Sequence, residues 1–587
     1  LSDVCARLEA CAKPVVASLH GTVLGGGLEL ALAAHYRVAH GATRVGLPEV
    51  KLGLVPGAGG TQRVPRLLGA ADALEMMLSG VMYPVSRAPA RALVEEIVQD
   101  NPIAAASAYC HKLMDAGSGP RPTSARRAGF ADPAAYQAEV NRRRLQTSKQ
   151  PESAPKEIVA AVEAALLLPF EAGLAFVAYS FESRRASEQS RALRAAFFAE
   201  RRAQRFGLPK GTELPDLGRI AVLGGGMLAT QIVIGALNAG LGVNWGTRDP
   251  EPLRTGVAQV RDVFRQGIAR GGLSEAQAEE RLALLRVGDS AHMTQGADMI
   301  VHAARGQGDV PAPEGAVRAV AFPGRVDGLG LRFAPPAYGT RLVEVIEGPI
   351  CDAGDLAAAL SLAKALGKIP VKVRSSGDSL AGQLMSACQR AADALIDVGQ
   401  SPYVIDRAFR DWGWSRPPFE YRDLTGFTEV AAEARGPGAR NWSAGLAEEG
   451  RTGRASGRGF YDWRAEGGAP CEDRDVLRRL DALRAAAKPL PQDRIRTLIL
   501  GAMANEGAHL LRKGVAARPS DLDVVCQHAI EMPRWRGGPM HLAGVIGLLA
   551  MKRALEHFDH PDRGFWTPDP MFDELIENGR RFDDLNV

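Results

Sequence analysis

Two glutamates beside a run of glycines are the residues in this sequence best placed by type and spacing to do chemistry. Residues 21–61 read GTVLGGGLELALAAHYRVAHGATRVGLPEVKLGLVPGAGGT. Gly25, Gly26 and Gly27 open a predicted helix, Glu29 lies one turn into it, and Glu49 follows a short strand and a loop. The first N–H groups of a helix lack intrahelical acceptors and sit at the positive end of its dipole, so they suit a developing oxyanion. Glycine there lets a carbonyl approach the backbone closely. Two carboxylates beside such a site can divide acid and base work when their surroundings separate their proton affinities. Residue types alone leave a second reading open: a tight strand-to-helix turn with both glutamates on solvated faces.

A second constellation begins at residue 219 with RIAVLGGGMLATQI. Gly224, Gly226 and Ala229 make a G-x-G-x-x-A form of the dinucleotide fingerprint, with an apolar strand before it and a helical pattern after. Selection of NAD asks for an Asp or Glu at the end of the next strand to hold the ribose hydroxyls. GLGVNWGTRDP offers Thr247 there, followed by Arg248, which could meet the 2′-phosphate of NADP. Asp249 is expected to start the next turn.

These groups need several domains to hold them. At 587 residues the chain is too long for a single core, since cores stop growing at roughly 250–300 residues. Composition is that of an ordinary globular protein, and a net charge of +4 without basic runs gives no footprint for nucleic acid. The seven cysteines form no CxxC pair and read as reduced thiols, and the eleven histidines show no ligand spacing, so no metal is implied. Residues 220–247 carry no charge, but their glycines and small polar residues fit a strand, turn and helix better than a membrane span.

Along the chain, residues 2–12 read as an amphipathic helix, 14–19 as a buried strand, and 70–78 and 88–98 as helices. Residues 100–150 give a weaker signal with connector-like turns. Residues 155–202 are strongly helical with a break at Pro169, and 207–216 form a Gly- and Pro-containing linker. Beyond residue 375 the chain is helical and weakly repetitive. ADALIDVGQSPYVIDRAF, with PPF beyond, echoes NEGAHLLRKGVAARPSDLDVV, with GGPM beyond.

GGGLELALAAHYRVA and VGLPEVKLGLVPGAGGTQRVPRLLG closely resemble the enoyl-CoA hydratase/isomerase (crotonase) family. The branch indicated is the multifunctional β-oxidation enzyme, in which a crotonase domain is fused to a 3-hydroxyacyl-CoA dehydrogenase. The resemblance implies an α/β multidomain architecture. A partial crotonase (ββα spiral) domain at 1–154, without its N-terminal strands, is followed by linker helices at 155–216. A Rossmann NAD-binding-type domain at 217–374 and two repeated all-α dehydrogenase C-terminal domains at 375–470 and 471–587 complete it.

It further implies that Glu29 and Glu49 handle water and the α-proton of a trans-2-enoyl-CoA, with Gly26 supplying half of the oxyanion hole. The family's other oxyanion N–H comes from strands that this sequence does not contain. Which glutamate activates water stays open, as does Δ3/Δ2 isomerisation. Hydration needs no cofactor.

The dehydrogenase half departs from its family. In FAPPAYGTRLVEVIEGP the family's catalytic glutamate falls on Glu344, but its histidine falls on Tyr338, a poor base with an ordinary pKa of about 10. A Ser-Asn-Thr stretch falls on Phe322, Pro323 and Gly324, and a substrate-holding asparagine on Gln383. NAD or NADP is thus a doubtful ligand, and the expected state is a weak or silent dehydrogenase. The alternatives are a working NAD(P)-dependent 3-hydroxyacyl-CoA dehydrogenase, or a non-catalytic acyl-CoA-binding or scaffold protein. Acyl-CoA thioesters and a thiolase are the expected partners, and cytoplasm the default location.

Overall fold

A computed structural model describes residues 1–306, 310–431 and 433–586. They divide into two compact units, Leu1–Phe197 and Phe198–Val587, with the boundary inside the helix Glu188–Ala203.

In the first unit, β1 (Val16–Leu19), β3 (Tyr36–His40) and β6 (Glu96–Val98) form a parallel sheet in the order β1-β3-β6. A second sheet joins β2 (Thr22–Leu24), β4 (Arg44–Gly46) and β5 (Tyr83–Pro84) in the order β2-β4-β5. The helix Gly26–Ala33 leaves β2 directly, and Gly60–Ser79 packs along Ala154–Leu167. Leu28, Leu32, Val64, Leu74, Met77, Ile158 and Val162 are fully or nearly fully buried in one core.

Three expectations change here. Residues 88–98 are not one helix: a short 3-10 turn at Ala90–Leu93 leads into β6, where β-branched Ile97 and Val98 pair with β3. The weak stretch 100–150 holds two full helices, Pro102–Asp115 and Pro133–Ser148, each capped by an Asn or Asp side chain. The helices Ala154–Leu167 and Phe170–Ala186, read as part of a linker, are grouped with the first unit because Ile158, Val162 and Val177 belong to its core.

The second unit is built on an eight-stranded sheet. In chain order the strands are β7 (Arg219–Leu223), β8 (Gly242–Gly246), β9 (Leu285–Gly288), β10 (Met299–His302), β11 (Val317–Val320), β12 (Leu329–Phe333), β13 (Leu342–Glu347) and β14 (Ile369–Arg374). Their spatial order is β14-β13-β12-β11-β10-β7-β8-β9, all parallel except the antiparallel pair β12–β13. The order reverses between β7 and β10, the switch point at which open α/β sheets bind ligands.

A matching set of hydrogen bonds occurs twice among the C-terminal helices. Asp406, in the helix Pro402–Arg410, accepts the N–H groups of Phe419 and Glu420 at the start of Pro418–Thr425. Asp523, in Pro519–Ala529, accepts those of Met540 and His541 at the start of Pro539–Ile546. In each case a buried aspartate stitches its own helix to the first turn of the next.

Candidate active site

Glu29 is only 3 % exposed, on a helix face it shares with buried Leu28, Ala31 and Leu32. Its Oε1 accepts the N–H groups of Ala58 and Gly60, each at 2.8 Å. Gly60 is the first residue of Gly60–Ser79, so the carboxyl group rests on the positive end of that helix. Burial raises its pKa, opposed by the two N–H groups and by the charge of Arg63.

Glu49 begins the 3-10 turn Glu49–Leu52, placed by Pro48 directly after β4. A Cβ at Gly25, whose φ is 52°, would stand 2.9 Å from Glu49 Oε1, so this position must lack a side chain. Oε2 of Glu49 is closed off from solvent and has no hydrogen-bond partner among the described residues. Burial, and then the charge of Glu29, push its pKa up to about 8. Gly26 is the first residue of its helix, half-buried, and its N–H finds no backbone acceptor among the described residues. The structure therefore gathers all three expected groups: Gly26 with Gly25 at the helix start, Glu49 against Gly25, and Glu29 within the electrostatic reach of Glu49.

In the second unit Gly224, with φ 132°, ends β7 against Ala304, and Gly226 caps the helix Met227–Asn238 with open space where a Cβ would be. Ala229 is fully buried, as close packing of helix on strand requires. Trp245 Nε1 donates to the Gly224 carbonyl at 2.7 Å and holds the loop from beneath. The loop suits a pyrophosphate. The ribose end does not fit, because Thr247 at the end of β8 has no carboxylate and the Asp249 carboxylate caps Pro250–Ala269. Arg248 spends a donor on the Gly306 carbonyl at 3.1 Å.

The same unit holds a cavity of about 590 Å³, lined in part by Arg332, Glu344, Ser379, Ser386, Tyr421 and Glu433. Glu344 is 2 % exposed, and its two oxygens accept the N–H groups of Leu380 (2.7 Å) and Ala381 (3.0 Å) at the start of Leu380–Asp397. Burial pushes it up to about 7 against those bonds.

The residue paired with Glu344 across β12 and β13 is Arg332. Tyr338, where the resemblance set the proton-taking position, is 40 % exposed near Gly235 and does not line the cavity, and neither does Gln383. Arg332 donates to the carbonyls of Val320 (2.9 Å), Gly324 (3.0 Å) and Gly377 (3.2 Å). An always-charged guanidinium cannot take a proton from an alcohol. Sequence reasoning missed Arg332, although a cation inside an apolar strand, LGLRF, was a signal. Phe322, Pro323 and Gly324 contribute no side-chain donor or acceptor to this region, and Gly324 offers only its carbonyl.

Among the described residues, no group of three His, Cys, Asp or Glu side chains forms a metal site, and no helix is long and apolar enough to cross a membrane.

Comparison with known proteins agrees with this division. The family described as enoyl-CoA hydratase/isomerase matches residues 1–120, and the 3-hydroxyacyl-CoA dehydrogenase NAD binding domain matches residues 219–310. The chain is thus a multidomain enzyme with a segment similar to enoyl-CoA hydratases/isomerases and a segment similar to the NAD binding domain of 3-hydroxyacyl-CoA dehydrogenases. More particularly, it is a homologue of the bifunctional enzymes of fatty-acid β-oxidation. The peroxisomal bifunctional enzyme of Danio rerio is 29% identical over 630 residues, covering 97% of this chain and 86% of that one. The glyoxysomal fatty acid beta-oxidation multifunctional protein of Cucumis sativus is 27% identical over 605 residues, covering 95% and 83%. Those names refer to peroxisomes and glyoxysomes, so they lend the cytoplasmic default no support. The dehydrogenase part of multifunctional enzyme 1 from C. elegans shares the fold, with a TM-score of 0.50 at 17% identity over 65% of this chain and 96% of that one.

Proposed function

We propose that the first unit adds water to trans-2-enoyl-CoA. The thioester carbonyl accepts the Gly26 N–H, which stabilises the enolate as charge develops on oxygen. Glu29, whose carboxylate form two N–H groups and Arg63 support against the burial that raises its pKa, takes a proton from water as the hydroxyl adds to the β-carbon. Glu49 holds its proton up to about pH 8 and delivers it to the α-carbon. Delivery of both parts from one face makes the addition syn. Δ3/Δ2 isomerisation would need one carboxylate to take the C2 proton and a carboxylic acid to give a proton to C4, and a 3-enoyl-CoA substrate tests it directly.

One observation carries this reading: the Glu49 carboxyl group stands against Gly25 within the electrostatic reach of buried Glu29, and one Glu49 oxygen has no hydrogen-bond partner among the described residues. A non-catalytic binder has no need to pay for burying such a pair. The test is hydration by Glu29→Gln and Glu49→Gln proteins, and near-wild-type turnover in both overturns the assignment.

We infer that the dehydrogenase module transfers no hydride, because Arg332 stands where a base facing Glu344 would be needed. The 3-hydroxyacyl-CoA product would then pass to a separate dehydrogenase before a thiolase could cleave it. Titration of the whole chain with NADH and NADPH tests this, and 3-hydroxyacyl-dependent cofactor reduction would revive the bifunctional alternative. The five-part division at 154, 216, 374 and 470 is kept as a proposal about ancestry, beside the two compact units of the structure.

A further inference from the structure

The loop 58–60 that grips Glu29 is itself gripped. Arg63, 1 % exposed on Gly60–Ser79, donates from Nη1 to the Ala58 carbonyl at 2.9 Å. The Ala58 N–H is one of the two donors to Glu29. Gly59 bends between them with φ 100°, and a Cβ there would fall 2.3 Å from Arg63 Nη1, so only glycine admits the guanidinium. The remaining edge of Arg63 is engaged by Glu9, whose Oε2 accepts from Nε (3.2 Å) and Nη2 (2.8 Å).

Glu9 is in turn fixed at both ends. Its Oε1 accepts the Ser124 N–H at 2.7 Å, and its backbone carbonyl accepts from His35 Nε2 at 3.0 Å. The other ring nitrogen of His35 accepts the Val15 N–H at 3.0 Å, which sets the tautomer.

We propose that Arg63 is a positioning residue for the hydration reaction, setting both the orientation and the charge of Glu29, and that Glu9 limits how strongly it does so. The inference rests on the assignment of Glu29 as a reacting group. Arg63 acts twice. Its hydrogen bond to Ala58 aims the loop N–H at the carboxylate, and its positive charge favours the ionised form of Glu29. Glu9 opposes the second effect by partly neutralising the guanidinium. The ionisable groups facing Glu29 are Glu49 from the turn Glu49–Leu52, Arg63 from Gly60–Ser79 and Cys5 from Ser2–Glu9, with Glu9 behind Arg63.

The two roles predict opposite signs. In Arg63→Gln the acid limb of the kcat–pH profile should move up, by about one unit, with KM nearly unchanged. In Glu9→Gln, where the amide oxygen can still accept from Arg63, the limb should move down by a few tenths of a unit. A purely structural role would lower kcat in both without moving the limbs apart.

The Glu29 carboxyl can also be titrated by ¹³C shift in Glu-labelled full chain, with Glu29→Gln identifying its resonance, which needs no turnover. Titration midpoints moving in opposite directions support the proposal, and unmoved or parallel midpoints overturn it. If Arg63→Gln does not fold, Glu9→Gln alone decides, since an unmoved midpoint there overturns the proposal. If Glu29→Gln retains full turnover, the parent assignment fails instead, and the two failures are distinct.

Discussion

Glu29 and Glu344 occupy the same kind of seat in two unrelated units. Each is almost fully buried, and each has a carboxyl group bonded by N–H groups at or beside the start of a following helix. What differs is the residue opposite. Glu29 shares its field with Glu49, an acid that keeps its proton to about pH 8 and has one oxygen without a hydrogen-bond partner among the described residues. Glu344 faces Arg332, whose guanidinium is spent on the backbone carbonyls of Val320, Gly324, Leu331 and Gly377. A carboxylate on a helix N-terminus is sound architecture in either unit, and its partner decides whether it can also do chemistry.

That contrast breaks most easily at the first pair. Glu29→Gln or Glu49→Gln should each lower kcat for enoyl-CoA hydration by roughly 10²–10⁴-fold, read in a steady-state assay. Losses of less than tenfold would make the two glutamates no more chemical than Glu344.

At the second pair the expected loss is stability. Glu344→Ala leaves the Leu380 and Ala381 N–H groups without their acceptor, removes the carboxyl group facing Arg332, and should destabilise the second unit by about 2–4 kcal/mol. Hydration should hold within twofold. Denaturant melts followed beside the hydration assay separate the two effects, and a large loss of hydration would contradict the division of labour.

pH sharpens the comparison. Glu49 is protonated below about 8, so hydration should fall about tenfold for each unit of pH above that value, a limb that Glu49→Gln should lack. For Glu344 the folded pKa lies above the unfolded one, at about 7. The folded state therefore holds the proton more tightly, and this contribution is full at low pH and lost as pH rises through about 7. Glu344→Gln should flatten that dependence in thermal melts between pH 5 and 8.

The smallest effect is expected from Arg332→His. Even with an imidazole opposite Glu344, Thr247 still lacks a ribose-binding carboxylate and Phe322–Pro323–Gly324 still lacks side-chain donors, so NADH formation should stay undetectable. Measurable hydroxyacyl-dependent reduction would mean that one substitution alone silences the module.

The sequence by itself determined whatever depends on neighbours in the chain. The glycine run with Glu29, the fingerprint at Gly224 to Ala229, the turn start at Asp249 and the echo between the two C-terminal segments are all local signals, written in φ preference, capping and periodicity. Tertiary structure decided what depends on register and on long-range pairing. Arg332 meets Glu344 only because β12 and β13 pair antiparallel in one register, and no spacing rule separates that from Tyr338 meeting it. Glu9 reaches Arg63 across 54 positions for the same reason. Buried charges find partners wherever the fold brings them, and desolvation, which the sequence does not encode locally, then sets which of them keeps a proton.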